Sequence, residues 1–369
     1  MQHQAIAKQA RKWDIFCKIV DNFGDIGICW RLAKQLKTEH KLAIRLYIDD
    51  LNAAKKLIPT LDPTLQSQVI KEITITAWNA NTTFTPKADV VIEAFACGLP
   101  SLYKAAMQPG IAWINLEYLS AETWVEDFHA KSATYGKLTR HFFFPGFTPN
   151  TGGLMREASY PTLVQNGTRA DNLLSLSLFC YPHAPISTLL ATLANGQKTT
   201  HCHVPATGIL PEIAQFFNLD QVSAGNTYIK NKLHLHVLPF LSQDDYDTLL
   251  ASCDINFVRG EDSWIRAIWA GKPFIWQPYL QSEDTHIIKL EAFLTAFYRG
   301  LDQSAQTAVR ALHHAWQADA TVHDNMQQHW GNYLQQLAAI QKHTLQHSSA
   351  LAAHTDLATK LVIFSEKIT

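Results

Sequence analysis

Short, unalternated apolar runs mark the first third of the chain: WDIFCKIV, LAIRLYI, ITITAW, DVVIEAF and IAWINLE. Such runs, rich in β-branched and aromatic residues, suit strands covered on both faces, as in a parallel sheet. Between them the apolar spacing turns helical, in IGICWRLAKQLKTEH, AAKKLI and ETWVEDFH. The first helical stretch follows the first strand across the turn DNFGD, so the chain opens with a β-loop-α unit.

Between about 145 and 172 the periodicity lapses into PGFTPNTGGLMREASYPTLVQNGTRADN, dense in Gly, Pro, Asn and Thr, which marks a domain boundary. Alternation then restarts. LLSLSLFCY, THCHV, LHLHVLPF, DINFV and PFIWQ read as strands, and PISTLLATLAN, LPEIAQFF, DDYDTLLASC and DSWIRAIWAG as the helices between them. From about 284 onward the pattern is helical throughout. A length of 369 residues agrees with two domains. Two α/β domains facing each other leave a cleft, and ligands of open α/β sheets bind beyond the carboxyl ends of the strands.

Composition narrows the function classes. Hydrophobic residues make up 47% and charged residues 17%, which argues for a chain folded almost throughout. With 31 Lys plus Arg against 32 Asp plus Glu, there is no basic field for nonspecific nucleic-acid binding. Six scattered cysteines without a CxxC pair indicate reduced thiols rather than a zinc knuckle or a disulfide framework. No signal peptide and no membrane-length apolar stretch stand out, so the expectation is a soluble cytoplasmic protein without a membrane partner.

Two strand-to-helix turns carry candidate chemistry. In the first, Asp21 and Asp25 accompany Gly24 and Gly27. The glycines permit close approach of a substrate, and Asp25 either caps the following helix or projects into a cleft. GxGxxG is absent, and an aspartate beside a pyrophosphate would repel it. In the second, Arg259-Gly260-Glu261-Asp262-Ser263 leads into WIRAIWAG. Free N–H groups at that helix start favour an anion, the Ser263 hydroxyl offers another donor, and Glu261 suits ribose hydroxyls or a cationic acceptor. An ordinary capped helix with exposed acids accounts for the same residues. Phe179, Tyr181, Phe240 and Gln243 follow two strands of the second half, where aromatic faces can sandwich a base and an amide can read its edge. Tyr279 joins that edge with a hydroxyl for a phosphate. His201 with His203, and His343 with His347, lack a supporting ligand pattern, so no metal is expected. Neither GxSxG nor a P-loop is present.

The runs IFCKIVDNFGDIGICWRLAKQL and FVRGEDSWIRAIWAGKPFIWQPY, with SEDTH after them, resemble signatures of the EarP family. These are bacterial protein-arginine rhamnosyltransferases that modify translation elongation factor P. The resemblance runs from about residue 13 to the C-terminus. It implies the α/β GT-B architecture, two Rossmann-like domains around an interdomain cleft, and metal-independent, inverting transfer of rhamnose from dTDP-β-L-rhamnose to arginine, without a cofactor. It also implies an acceptor-side domain over 1–155, a linker over 156–172, a nucleotide-sugar domain over 173–345, and a final helix within 346–369 returning to the first domain. In family terms Asp25 matches the general base, Asp21 a neighbouring essential aspartate and Glu261 a further acid needed for activity. Asp262 and Ser263 match donor diphosphate and sugar contacts, Tyr279 a phosphate contact, and Phe179, Tyr181, Phe240 and Gln243 the nucleoside pocket. The sequence departs from the family pattern at Pro278-Tyr279-Leu280, where a Tyr-Pro-Gln run is usual, and at Trp264, where Phe is expected.

An acidic turn suits this acceptor physically. Guanidinium has a pKa above about 12 and delocalised lone pairs, so it needs carboxylates to orient it and take its proton. A GT-B enzyme with a lipid or small-molecule acceptor, and a noncatalytic sugar-nucleotide or protein-binding module of the same fold, remain alternatives at this level. A neutral hydroxyl acceptor needs one base, whereas a cation benefits from two acids.

Overall fold

The structure, a computed structural model, describes residues 10–21, 23–84, 87–160, 172–317 and 325–369. Asn22 of the first turn and most of the expected linker lie outside the described residues. The chain divides into two compact units, Met1–Tyr160 with His354–Thr369, and Pro161–Ala353.

Unit 1 begins with β1 (Lys12–Cys17), α1 (Gly24–His40), β2 (Ala43–Ile48) and α2 (Leu51–Leu57). A hairpin of β3 (Ser67–Ile70) and β4 (Ile73–Ala77) follows, then β5 (Val90–Ala94), α3 (Ser101–Ala106), β6 (Ala112–Leu116) and α4 (Trp124–Phe128). A second hairpin, β7 (Ser132–Tyr135) and β8 (Leu138–Phe143), completes its sheet. The strand order is β3-β4-β2-β1-β5-β6-β8-β7, parallel except within the two hairpins at its edges. The strands read as continuous apolar runs because both faces are covered: every residue of β5 and β6 is buried. On one face Phe16, Tyr47 and Tyr103 pack together, the first two with ring centroids 4.5 Å apart. Fully buried Asp14 is offset there by Arg45, whose Nε and NH2 each donate at 2.6 Å, and by the Tyr103 hydroxyl at 2.5 Å.

Unit 2 contains β9 (Leu173–Leu178), α5 (Ile186–Ala194), β10 (Thr199–Pro205), α6 (Leu210–Phe217), β11 (Thr227–Lys230) and β12 (Leu233–Leu238). It continues with α7 (Gln243–Ser252), β13 (Ile255–Arg259), α8 (Asp262–Ala270), β14 (Phe274–Gln277), α9 (Thr285–Phe297), α10 (Gln303–Gln317), α11 (Met326–Gln335) and α12 (Leu337–Ala352). Its order is β11-β12-β10-β9-β13-β14, parallel apart from the edge strand β11. Buried Arg266 on α8 is matched by Asp247 on α7 at 2.7 Å.

The last helix, α13 (Leu357–Lys367), belongs to unit 1. Its N-cap Asp356 accepts from the Gln35 side chain of α1 at 3.0 Å, and Lys360 donates to the Thr151 carbonyl at 2.7 Å. Both sheets have the doubly wound order, with chain direction of growth reversing between β1 and β5 and between β9 and β13. Ligand crevices of such sheets open at the carboxyl ends of those strands.

Candidate active site

In unit 1 the chain leaves β1 at its point of reversal and enters the acidic turn. Gly24 N–H donates to the Asp21 carbonyl at 2.6 Å, and Gly27 N–H to the Phe23 carbonyl at 2.9 Å. A Cβ on Gly24 would stand 2.7 Å from Asp21 Oδ2, so only glycine lets that carboxylate fold over the turn without displacement. Asp25 lies in the first turn of α1, where exposed N–H groups favour a carboxylate, but it does not cap the helix. Its Oδ2 reaches back to accept from Val20 N–H at 2.8 Å and Asp21 N–H at 2.9 Å. Its Oδ1 accepts from the Tyr118 hydroxyl at 3.3 Å. Asp25 is only 2% exposed. Burial holds its pKa above the ordinary aspartate value; the hydrogen bonds from Val20, Asp21 and Tyr118 oppose that rise and the Asp49 charge adds to it.

In unit 2, Phe179 follows β9 and Gly260 to Ser263 follow β13, on either side of the second reversal. Gly260 has φ +57° and donates to the Gln277 carbonyl at 3.0 Å, which ties the turn to β14. Glu261 stands at the N-cap of α8 without a side-chain cap bond, and both it and Asp262 are half-buried. The Ser263 hydroxyl is engaged within the turn itself. It accepts from Arg259 N–H at 2.9 Å and donates to the Arg259 carbonyl, so its proton is spent inside the turn. Ser263 therefore shapes the helix start, whose N–H groups remain suited to an anion. Gln243, at the start of α7, donates to Asp262 Oδ2 at 3.2 Å and links the two helix starts.

Phe179, Tyr181 and Tyr279 lie together around Arg259. The guanidinium of Arg259 lies 4.5 Å from the Phe179 ring centroid and 4.4 Å from that of Tyr181. Tyr181 meets Tyr279 edge-on at 5.8 Å and stacks on His183 at 5.6 Å. Buried Gln277 accepts from Tyr181 N–H at 2.9 Å, while its amide nitrogen lies 3.1 Å from His183 Nε2. Phe240, half-buried, lies between β12 and α7 on the same carboxyl edge. Sequence reasoning missed Arg259, Gln277 and His183 in this group, and Tyr118 in unit 1. Arg259 stood within the quoted run FVRGEDS, and its charge beside a predicted aromatic pocket was the available signal. Tyr118 had none, because only strand order brings it to Asp25.

Over residues 13–366 the chain matches a family model described as Elongation-Factor P (EF-P) rhamnosyltransferase EarP. The chain belongs to the EarP family. Among curated relatives, a protein-arginine rhamnosyltransferase of Pseudomonas putida is 42% identical over 95% of this chain and 98% of that protein. A solved structure concerning EarP-mediated arginine glycosylation of translation elongation factor EF-P matches with TM-score 0.67 at 32% identity, covering 96% of this chain and 99% of that one. The spinosyn rhamnosyltransferase SpnG, complexed with thymidine diphosphate, shares the fold with TM-score 0.54 at 10% identity, covering 96% and 99%. This EarP family member is a glycosyltransferase of GT-B architecture, built from two Rossmann-like units.

Proposed function

We propose that the protein transfers rhamnose from dTDP-β-L-rhamnose to an arginine side chain of translation elongation factor P, with inversion and without a metal ion. The observation that carries this reading is Asp25 in an EarP family member: a buried carboxylate with Oδ2 fixed by two backbone N–H groups and Oδ1 facing Tyr118. A buried base of raised pKa suits removal of a proton from guanidinium, which holds its own tightly. As the arginine nitrogen bonds to the sugar C1, the C1–O bond to the diphosphate breaks, the diphosphate departs with the electron pair, and Asp25 takes the proton. Attack opposite the leaving group inverts C1. Asp21 and Glu261 orient the cation and favour the positive charge that develops on the sugar. The N–H groups at the start of α8 and the Arg259 guanidinium receive the diphosphate, the work a divalent ion would otherwise do. Phe179, Tyr181 and Phe240 pack the base, Gln243 and Asp262 line the donor, and Tyr279 meets a phosphate.

A translation factor as acceptor places the protein in the cytoplasm, with no direct nucleic-acid partner. Among the described residues no helix is long and apolar enough to cross a membrane. The test is the intact mass of purified elongation factor P after incubation with this protein, dTDP-β-L-rhamnose and excess EDTA. One added deoxyhexose, absent with Asp25→Asn, is expected. Confirmed donor binding without any mass gain would move the acceptor to another molecule, and a gain only when a divalent ion is restored would overturn metal independence.

A further inference from the structure

We infer that Tyr118 is a positioning residue for Asp25, and that Phe95 and the strained turn after β5 exist to hold it there. The inference deepens the reading of Asp25 as proton acceptor and rests on it.

Three adjacent parallel strands bring the parts together. β1, β5 and β6 lie side by side, so their carboxyl ends deliver the acidic turn, Phe95 and Tyr118 to one place. The Tyr118 ring stacks on that of Phe95, with centroids 4.4 Å apart and planes 13° from parallel. Phe95 stands at φ +56° and Ala96 at φ +50°, two consecutive left-handed residues, neither of them glycine. L side chains disfavour that conformation, and it persists only where surrounding bonds impose it. Here they do. Phe95 N–H donates to the Leu116 carbonyl at 2.7 Å, Ala96 N–H to Asn115 Oδ1 at 3.0 Å, and Gly98 N–H to Glu93 Oε1 at 3.0 Å. Asn115 and Glu93 are 1% and 2% exposed, so the anchors themselves cannot easily move. A relaxed turn would carry the Phe95 ring away from Tyr118.

The hydroxyl, rather than the ring, reaches the carboxylate. Oδ2 of Asp25 already takes two backbone N–H groups, and the Tyr118 hydroxyl meets Oδ1, which fixes rotation of the carboxylate plane. One lone-pair direction on Oδ1 is thereby left for the acceptor's proton. The groups facing Asp25 electrostatically are Asp49 after β2 and Cys17 at the end of β1, with Asp21 on its own turn. Against burial and the Asp49 carboxylate, the Tyr118 hydroxyl favours the ionised form, the one that can accept a proton.

Tyr118→Phe keeps the ring and its stack and removes only the hydroxyl. The measurement is kcat for transfer to the acceptor protein against pH, for wild type, Tyr118→Phe and Phe95→Leu, with dTDP affinity by calorimetry. Loss of the hydroxyl bond should move the acid limb of kcat up by about half to one pH unit and lower the plateau several-fold, leaving dTDP affinity unchanged. Phe95→Leu, which keeps the hydroxyl but frees its ring, should shift the limb in the same direction. A second readout needs no acceptor: carbon NMR titration of 13C-Asp-labelled protein, with the Asp25 signal assigned through Asp25→Asn, should show the same rise in Tyr118→Phe. An unmoved Asp25 titration overturns the inference, as does a lowered plateau with an unshifted limb. Absence of transfer by wild type, with the titration shift present, overturns the assigned reaction and leaves the positioning role standing.

Discussion

Asp25→Asn removes a proton acceptor while preserving the shape of the turn. The Asn oxygen can still accept from Val20 and Asp21, whose N–H groups now lie 2.8 and 2.9 Å from Oδ2, and its amide nitrogen can donate to the Tyr118 oxygen. What disappears is the proposed base. General-base catalysis is worth about 10² to 10⁴ in rate, or roughly 3 to 5 kcal/mol of transition-state stabilisation. Burial at 2% exposure makes Asp25 a stronger base than a surface aspartate, so the loss should fall in the upper part of that range. The assay is single-turnover transfer with excess enzyme and saturating donor at neutral pH. Stability should move the opposite way. Because the folded pKa of Asp25 is raised, folding favours its protonated form. That contribution is fully present below the unfolded value and is lost as pH rises through the folded one. At neutral pH the charge therefore weighs against folding, and the neutral Asn variant should melt higher, with its advantage fading on acidification. Retention of more than about a tenth of the rate would remove Asp25 as the base. A lower melting temperature at neutral pH would refute the account of its burial.

Gly24→Ala sets a Cβ 2.7 Å from Asp21 Oδ2 and must push that carboxylate aside. Transfer should drop about tenfold or more while denaturant unfolding changes by less than about 1 kcal/mol, since Gly24 is not in the left-handed region; an unchanged kcat would show that the position of Asp21 is immaterial. Ser263→Ala leaves the Arg259 N–H and carbonyl without their hydroxyl partner, at a cost of about 1 to 3 kcal/mol in stability. By calorimetry it should weaken dTDP more than the acceptor protein, and the reverse order would take the diphosphate away from the start of α8.

The strands and helices with strong periodicity were legible because burial on both faces writes itself into composition. β5, β6 and β9 fall inside runs read as apolar strands, and β1 and β13 overrun theirs by one residue each, Lys12 and Arg259. The edge hairpins were not legible. SQVI and TYIK are short and half-polar, and the β3–β4 turn uses Lys71 and Glu72 at φ +50° and +59° in place of an Asn-Gly signal. The helical pattern read from about 284 onward does not mark the break at Gln336, where α11 ends at Gln335 and α12 begins at Leu337. At the site, the residue types and their turns could be read from the chain, but the directions of side chains could not. Ser263 turns inward because two backbone groups of Arg259 compete for its hydroxyl, and Tyr118 reaches Asp25 only through the order of three strands.

Unit 1 is not continuous in sequence: α13 joins it only after the whole of Pro161–Ala353 has intervened. During synthesis, at about 5 to 20 residues per second, the helix bearing Asp25 therefore waits some tens of seconds for its last neighbour. Until then Gln35, eleven residues beyond Gly24 on α1, lacks Asp356, and the Thr151 carbonyl lacks Lys360. Loss or obstruction of α13 thus acts on the unit that carries Asp25, while unit 2, made in full before His354, keeps the turn at the start of α8.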